Sequence, residues 1–349
     1  MSYIYLDNLL SSFSADVGID LGTSNTPIFV KGKGIVLIEP SYVARDLDTE
    51  KIIAVGTEAR NMVGRTPGNI EIVRPIKDGV IADFDVAEEL IQHLLKKLKV
   101  DGVIKPRVII GVPSDVTDVE WRAVSEAAKA AGARRVYIIE QPLAGAIGAG
   151  LPIMQPQGSM VVDIGGGTSE MAVTSMGDIV QARTSRIAGD EMDEAILNYV
   201  RKKYNLLIGI RTAEELKISI GSAMETKVTH SAIVRGRDLT GGLPRSLEID
   251  SNEICGALQE IVQLLVELLK QTLETTPPEL SADIYEQGVT LIGGGSLLRH
   301  LDEVLSKASG VLCKNSEDPI SSVALGCERL FKSPKLFKRV FMGKEMRLG

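Results

Sequence analysis

Two periods alternate along the chain. VGIDLG (17–22), PIFVKG (27–32) and GIVLIEP (34–40) are short apolar runs separated by Gly and Lys-Gly turns, which predicts antiparallel hairpins. IIAVG (52–56) reads as a short strand ahead of the helix-like TEARNMV. A helical period then sets in over VAEELIQHLLKKLKV, with apolar residues at 86, 90, 94, 95 and 98 and Asp85 as the expected cap. RVIIGVP (107–113) and RVYIIE (135–140) are nearly continuous apolar strands, the pattern of burial on both faces. Between them a helix is predicted over 119–131, capped by Thr117 or Asp118 and ended by Gly132. Another is predicted over 143–149.

The pattern then starts again. SMVVDIGGGTSEMAVTSMGDIVQAR (159–183) reads strand, glycine turn, strand, turn, strand. Asp190 is the expected cap of a helix reaching Tyr204, TAEELKISIGSAM (212–224) is a second helix and SLEID (246–250) a strand. Ser251 is expected to cap a long helix that Pro277 and Pro278 stop. GVTLIGGG (288–295) is a strand running into a turn, with SLLRHLDEVLSKASG as the next helix. VGIDLGTSNT (17–26) and VVDIGGGTSE (161–170) share their apolar residues, an Asp, a Gly and a Thr-Ser or Gly-Thr-Ser step. The repeat is far too widely spaced for a solenoid. It predicts two similar α/β halves facing each other over a cleft, each a mixed sheet with helices on both faces.

Composition narrows the class. A chain of 349 residues is long enough for two domains, and 44% hydrophobic with 24% charged residues is ordinary for a globular protein. A net charge of -7 argues against nucleic acid as a partner. Cys255, Cys313 and Cys327 form no CxxC pair, which points to a reducing cytosol. His93, His230 and His300 stand alone, without metal-ligand spacing. MSYIYLDNLLSSF has no basic n-region and is not read as a signal peptide. No run reaches the ~18 apolar residues of a membrane span.

The glycine turns carry the candidate chemistry. Glycine lets a ligand approach the backbone, and successive N–H groups in such a turn form an anion site. One turn of this kind is equally an ordinary tight turn. Two matched turns in opposed halves, each with Asp before and Thr after, look like a clamp on the two ends of a polyphosphate. A bare Asp beside phosphate repels it, so Asp20 and Asp163 are candidate ligands of Mg²⁺ through water. Thr23, Ser24, Thr168 and Ser169 can add hydroxyl donors. A third glycine turn, IGGGSLL (292–298), ends a strand where a helix is expected to open. Neither GxGxxG nor GxxxxGK[ST] occurs.

These residues resemble the actin-like ATPase superfamily, which includes sugar kinases and heat-shock ATPase domains, and within it most closely the bacterial actins of the MreB family. VGIDLGTSNT is similar to the family's first phosphate motif, VVDIGGGTSE to its second and VTLIGGGSLLRHLD to its adenosine motif. KGKGIVLIEPSYVA, RPIKDGVIADFD, KPRVIIGVPS, IEQPLAGAIGAG, RIAGDEMDEAI and TPPELSADI also look like segments of that family, so the resemblance covers nearly the whole chain. It implies an actin-like fold with domain I over 1–148 plus 322–349 (a smaller subdomain at about 35–85) and domain II over 149–321 (a smaller subdomain at about 190–250). It implies ATP or ADP with Mg²⁺ as ligands, and catalytic roles for Asp163 and for Glu140, the latter orienting the attacking water. Nucleotide contacts are implied at Gly22, Thr23, Ser24 and Asn25, at Gly165, Gly166, Gly167 and Thr168, at Glu214, Glu215, Leu216 and Lys217, and at Gly293, Gly294, Gly295 and Ser296. Glu214 and Lys217 read equally as an exposed i,i+3 ion pair.

The resemblance further implies ATP hydrolysis coupled to head-to-tail protofilaments paired antiparallel. It implies a peripheral location on the inner face of the cell membrane and partners among transmembrane cell-shape and wall-synthesis proteins. Candidate membrane contacts are Tyr3, Leu6, Leu10 and Phe13, at helical spacing, and Val103 with Ile104 in the DGVIKP turn. The tail FKSPKLFKRVFMGKEMRLG (331–349), six basic residues against one acidic, is a further candidate and lies outside the resemblance. Pro27, where the family more often has Leu, is expected at an edge or bulge because it lacks a backbone donor. The rival readings are a plasmid- or organelle-positioning filament, a small-molecule kinase, and a chaperone, which would need a substrate domain after the ATPase core.

Overall fold

The computed structural model describes residues 16–77, 79–98 and 105–341. The candidate membrane residues Tyr3, Leu6, Leu10, Phe13, Val103 and Ile104 lie outside them.

The first sheet is built from β1 (Val17–Asp20), β2 (Asn25–Val30), β3 (Gly34–Pro40), β9 (Arg107–Val112) and β10 (Arg135–Glu140) in the order β10-β9-β1-β2-β3. β1, β2 and β3 form an antiparallel meander, while β9 and β10 add parallel to β1. The second sheet contains β11 (Ser159–Ile164), β12 (Ser169–Ser175), β13 (Asp178–Ser185), β17 (Val289–Ile292) and β18 (Cys313–Asn315) in the order β13-β12-β11-β17-β18. It repeats the scheme, a meander followed by two parallel strands. The sequence repeat is therefore a repeat of topology, with β1 and β11 in equivalent places. β9 is buried at all its positions, as a central strand covered on both faces must be.

Smaller units rise from each half. β4 (Val43–Asp46), β5 (Ile52–Val55), the short helix α1 (Thr57–Met62) and β6 (Ile70–Val73) form one, followed by the hairpin of β7 (Ile76–Lys77) and β8 (Val80–Ile81). β14 (Leu206–Leu207), β15 (Ser231–Asp238) and β16 (Pro244–Asp250) form the other. The remaining helices are α2 (Phe84–Lys97), α3 (Asp118–Ala130), α4 (Gln141–Ala149), α5 (Gly189–Tyr204), α6 (Ile210–Ile220), α7 (Ser251–Glu274), α8 (Pro278–Gln287), α9 (Leu301–Ser309), α10 (Ser322–Lys332) and α11 (Pro334–Phe341).

Several helix starts differ from expectation. Asp83, not Asp85, caps α2 by accepting from the Val86 N–H at 3.1 Å, and Asp85 falls in the first turn. Thr117 caps α3 in a reciprocal box with Glu120. Asp190 is not the cap of α5. Ala188 holds that position, Glu191 accepts its N–H at 2.9 Å, and Asp190 is free to turn outward from the first turn. Asp250 rather than Ser251 caps α7, accepting from Asn252 and Glu253. The helix expected after the third glycine turn is split into a 3-10 turn (Gly294–Leu297) and α9, because His300 takes a left-handed φ of 60° between them. Pro278 both follows the end of α7 and opens α8, where its missing N–H costs nothing. Pro27 lies in an inner strand, one residue beyond the last β1–β2 pair and beside the bulge between Ile28 and Phe29.

A core of Ile109, Ile139 and Leu143 with Val161, Ala172 and Ile292 joins the two halves. α4 and α10 cross it at very close range. A Cβ on Gly326 would stand 1.9 Å from the Ala144 carbonyl oxygen, and one on Gly148 would stand 1.7 Å from that of Ser322. Gly326→Ala is therefore expected to destabilise the fold by about 2–3 kcal/mol, read as a lowered midpoint in denaturant, because backbone cannot yield as a side chain does. A midpoint equal to that of the parent would contradict the close packing. The described part of the basic tail, α11, uses its apolar side internally. Phe337 meets Tyr137 edge-on at 4.8 Å, Val340 and Phe341 are buried, and the Arg339 Nε donates to the Met176 carbonyl at 2.8 Å.

Candidate functional site

The equivalent ends of β1 and β11 face each other over a cleft of about 340 Å³. Asp20 is the last residue of β1, and the chain turns through Gly22 so tightly that a Cβ there would meet the Asn25 carbonyl at 2.5 Å. In the other half the Gly165 N–H donates to the Thr168 carbonyl at 2.8 Å and closes the turn after Ile164. The two turns abut, since a Cβ on Gly166 would stand 2.1 Å from the Ser24 Oγ. Only glycine permits this approach.

Asp20, Gly22, Thr23, Ser24 and Asn25 line one wall, and Asp163, Gly165, Gly166 and Thr168 the other. Glu214, Lys217 and Gly293, Gly294 and Gly295 line the far end. Of the expected contacts, Gly167, Glu215, Leu216 and Ser296 are not among the lining residues. The helical period explains two of them. Glu214, Lys217 and Ile218 share the cleft side of α6, so Leu216 turns into the core and Glu215 turns outward beside Arg211. The Ser296 hydroxyl donates to the Gly293 carbonyl at 2.7 Å and shapes the third glycine turn from behind. The i,i+3 pairing of Glu214 with Lys217 does not form. Lys217 contacts Asp193 at 2.8 Å and donates to the Gly189 carbonyl, while Glu214 meets Arg60 at 2.7 Å.

At the end of β10 the side chain on the cleft wall is that of Gln141, whose Nε2 donates to Asp20 Oδ1 at 2.7 Å. Glu140 is not on that wall. It precedes α4 with extended backbone, and neighbours in extended chain point to opposite sides.

Sequence reasoning also missed Glu170. It lies directly across the hairpin from Asp163 as its cross-strand partner, where two like charges destabilise a sheet. Its Oε1 accepts from the Ser114 N–H at 2.7 Å. The signal was present, since the second motif carries one acid on each arm of its turn. Asp20 and Glu170 are buried, and Asp163 is half-buried on the cleft wall. Burial pushes Asp20 up to about 7, with Gln141 pulling it down and Glu170 pushing it further up. Burial also pushes Asp163 up to about 7, reinforced by Asp20, and Glu170 up to about 8 against the pull of Ser114. Three acids in a row, two of them buried, make a site that favours a cation. Among the described residues no cluster of three His, Cys, Asp or Glu is tight enough to hold a metal directly. That donor set fits a hydrated divalent cation, which Asp20 and Asp163 could hold through its water shell.

A family model described as MreB/Mbl protein matches residues 14–339. The chain belongs to the MreB/Mbl family. It is 52% identical over 315 residues to the cell shape-determining protein Mbl of Bacillus subtilis (strain 168), covering 90% of this chain and 95% of that protein. It is 51% identical over 320 residues to the cell shape-determining protein MreB of Escherichia coli (strain K12), covering 90% of this chain and 92% of that one. The crystal structure of MreB5 of Spiroplasma citri bound to ADP superposes with a TM-score of 0.88 at 38% identity, over 94% of this chain and 98% of that one. The same protein bound to AMPPNP also matches with a TM-score of 0.88. A MamK double helical filament shares the fold, with a TM-score of 0.75 at 21% identity. The actin-like fold of this MreB/Mbl family member is thus shown, two α/β domains around the cleft. Among its described residues no helix is long and apolar enough to cross a membrane.

Proposed function

We propose that the chain is a bacterial actin that binds ATP with Mg²⁺, hydrolyses it, and assembles into filaments that organise wall synthesis and cell shape at the inner face of the membrane. The observation that carries the nucleotide reading is the abutment of two repeated glycine turns at Gly166 and Ser24, backed by the buried acids Asp20 and Glu170 and the half-buried Asp163 between the turns. The turns supply backbone N–H donors to phosphate oxygens, and the glycines let those donors come close. Asp20 and Asp163 would hold Mg²⁺ through water, and the bound ion supplies the positive charge that lets phosphate sit beside carboxylates. Lys217, Glu214 and the Gly293–Gly295 turn receive the adenosine end. Gln141, held by Asp20, keeps its amide oxygen as an acceptor that can orient a water towards the terminal phosphate. The ADP and AMPPNP bound in the MreB5 structures support the same ligand class.

The division into domain I (1–148 with 322–349) and domain II (149–321) fits the repeated sheets, with the nucleotide as the joint between them. Head-to-tail contact that does not close gives an open filament. The names of the Mbl and MreB relatives support a cell-shape role, and the MamK filament supports self-assembly of this fold. Antiparallel pairing, lipid contact through the N-terminal residues or Val103 and Ile104, and transmembrane partners belong to the same proposal. Sedimentation with Mg²⁺ and ATP, with and without anionic vesicles, tests it. Polymer should pellet only with nucleotide, and vesicles should carry it with them. A positioning filament that needs no lipid would ignore the vesicles. A small-molecule kinase would form no polymer and would turn over ATP only with an acceptor.

A further inference from the structure

Arg74 opens the family-like segment RPIKDGVIADFD but has no expected role in the site, and it does not line the cleft. It directly follows β6, in the unit that rises from the first half. Its Nη1 donates to Asp190 of the second half, its Nη2 donates to the Tyr42 hydroxyl at 2.6 Å, and its Cζ lies 4.9 Å from the centre of the Tyr42 ring. Each of these anchors is one step from a phosphate turn. Tyr42 follows Ser41, whose hydroxyl donates to the Gly22 carbonyl at 2.6 Å and whose N–H donates to that of Ser24 at 3.0 Å. Asp190 donates its own N–H to the Gly166 carbonyl at 2.8 Å, and Gly189 does the same to Gly165 at 3.1 Å. A continuous path of bonds therefore runs from the first turn through Ser41, Tyr42, Arg74 and Asp190 to the second turn. The contact of Gly166 with Ser24 closes it into a ring around the phosphate end.

We propose that Arg74 is a positioning residue that fixes the spacing of the two phosphate turns, so that its pairing with Asp190 sets how long a nucleoside triphosphate stays bound. The inference rests on the nucleotide reading above. The ion pair is mostly shielded, with both side chains 23% exposed, so it is not an ordinary surface pair. The guanidinium is stacked on a ring and shared between two acceptors, an arrangement that lysine cannot reproduce. Arg60 makes the corresponding contact with Glu214 at the adenosine end. The opposed halves are thus tied on the open side of the cleft at both ends of the ligand.

The test is the dissociation rate of a fluorescent ATP analogue from the full chain in Mg²⁺, chased with excess ATP. Arg74→Ala and Arg74→Lys are expected to release it about 10–100-fold faster, because removing one partner of a shielded charge pair acts mainly on the off-rate. Asp190→Ala should do the same, and the double variant should be no faster than the faster single, which shows that both act through one link. Tyr42→Phe keeps the ring and its packing and removes one acceptor, so it should release the analogue a few-fold faster. Parental rates in all these variants, or strictly additive effects of Arg74→Ala and Asp190→Ala, would overturn the proposal. Absence of saturable binding by the parent protein would overturn the nucleotide reading itself, which is a separate outcome.

Discussion

Gln141→Ala is expected to slow ATP hydrolysis by about 10²-fold or more while leaving nucleotide affinity within a few-fold. Glu140→Ala is expected to change the rate less than tenfold. The reasoning is geometric. In phosphoryl transfer the protein mainly positions the reactants, and a group that orients the attacking water must share the cleft with the terminal phosphate. Gln141 does so, anchored by its bond to Asp20 at 2.7 Å, while Glu140 stands one residue away on the other side of the chain. An amide suits the task through its acceptor oxygen, and it adds no negative charge to a wall that already holds three acids. The anchor makes a second expectation. Gln141→Glu would place a fourth acid against Asp20, so its activity should depend more steeply on Mg²⁺ than that of the parent. Phosphate release measured on single turnovers separates the residues. Loss of activity in Glu140→Ala with parental rates in Gln141→Ala would reverse the assignment and restore Glu140 as the water-positioning group.

That exchange of neighbours shows where sequence reading reaches its limit. The repeat was legible because VGIDLGTSNT and VVDIGGGTSE each encode a complete strand–turn–strand unit, and local pattern dictates local structure. The continuous apolar runs at 107–113 and 135–140 announced their parallel, doubly covered strands for the same reason. The side of a strand end on which a residue points is set by the exact exit of the chain into α4, and pattern carries no information on that. Helix caps were misplaced by one or two residues, at Asp83 and Asp250 because adjacent residues are also able to cap, and at Ala188 because the Glu191 carboxylate serves the helix start in place of a side-chain cap. SLEID marked β16 and the smaller unit around it, but its partner β15 was missed, since SAIVRGRD alternates weakly and is charged on its open face. The ties from Arg74 to Asp190 and from Arg60 to Glu214 join residues remote in sequence. No local pattern can pair them, and only the closed arrangement of the two halves reveals them.

Asp163→Asn is expected to do two opposite things, to stabilise the nucleotide-free protein and to weaken its Mg²⁺-dependent grip on nucleotide. Burial and the neighbouring Asp20 raise Asp163 from 3.8 in the unfolded chain to about 7 in the fold. The folded state therefore binds a proton that the unfolded state has already lost, so stability falls as pH rises from about 4 to about 7 and stays lowered above that. Asparagine carries no such charge. The variant should be more stable than the parent at pH 7.5, by on the order of 2 kcal/mol, and no more stable than the parent at pH 4. Thermal or denaturant unfolding at several pH values measures the difference. The same charge is what attracts the hydrated cation. Removing it should lower nucleotide affinity in Mg²⁺ by about 10–100-fold, the usual effect of losing a partner of a metal's outer shell, and should narrow the gap between affinities measured with Mg²⁺ and with chelator. The two effects share one cause, a negative charge that is poorly solvated beside Asp20 until a cation arrives. A variant that kept the parent's slope of stability with pH, or the parent's ratio of affinities with and without the metal, would show that Asp163 is neither strained by its charge nor turned towards the ion.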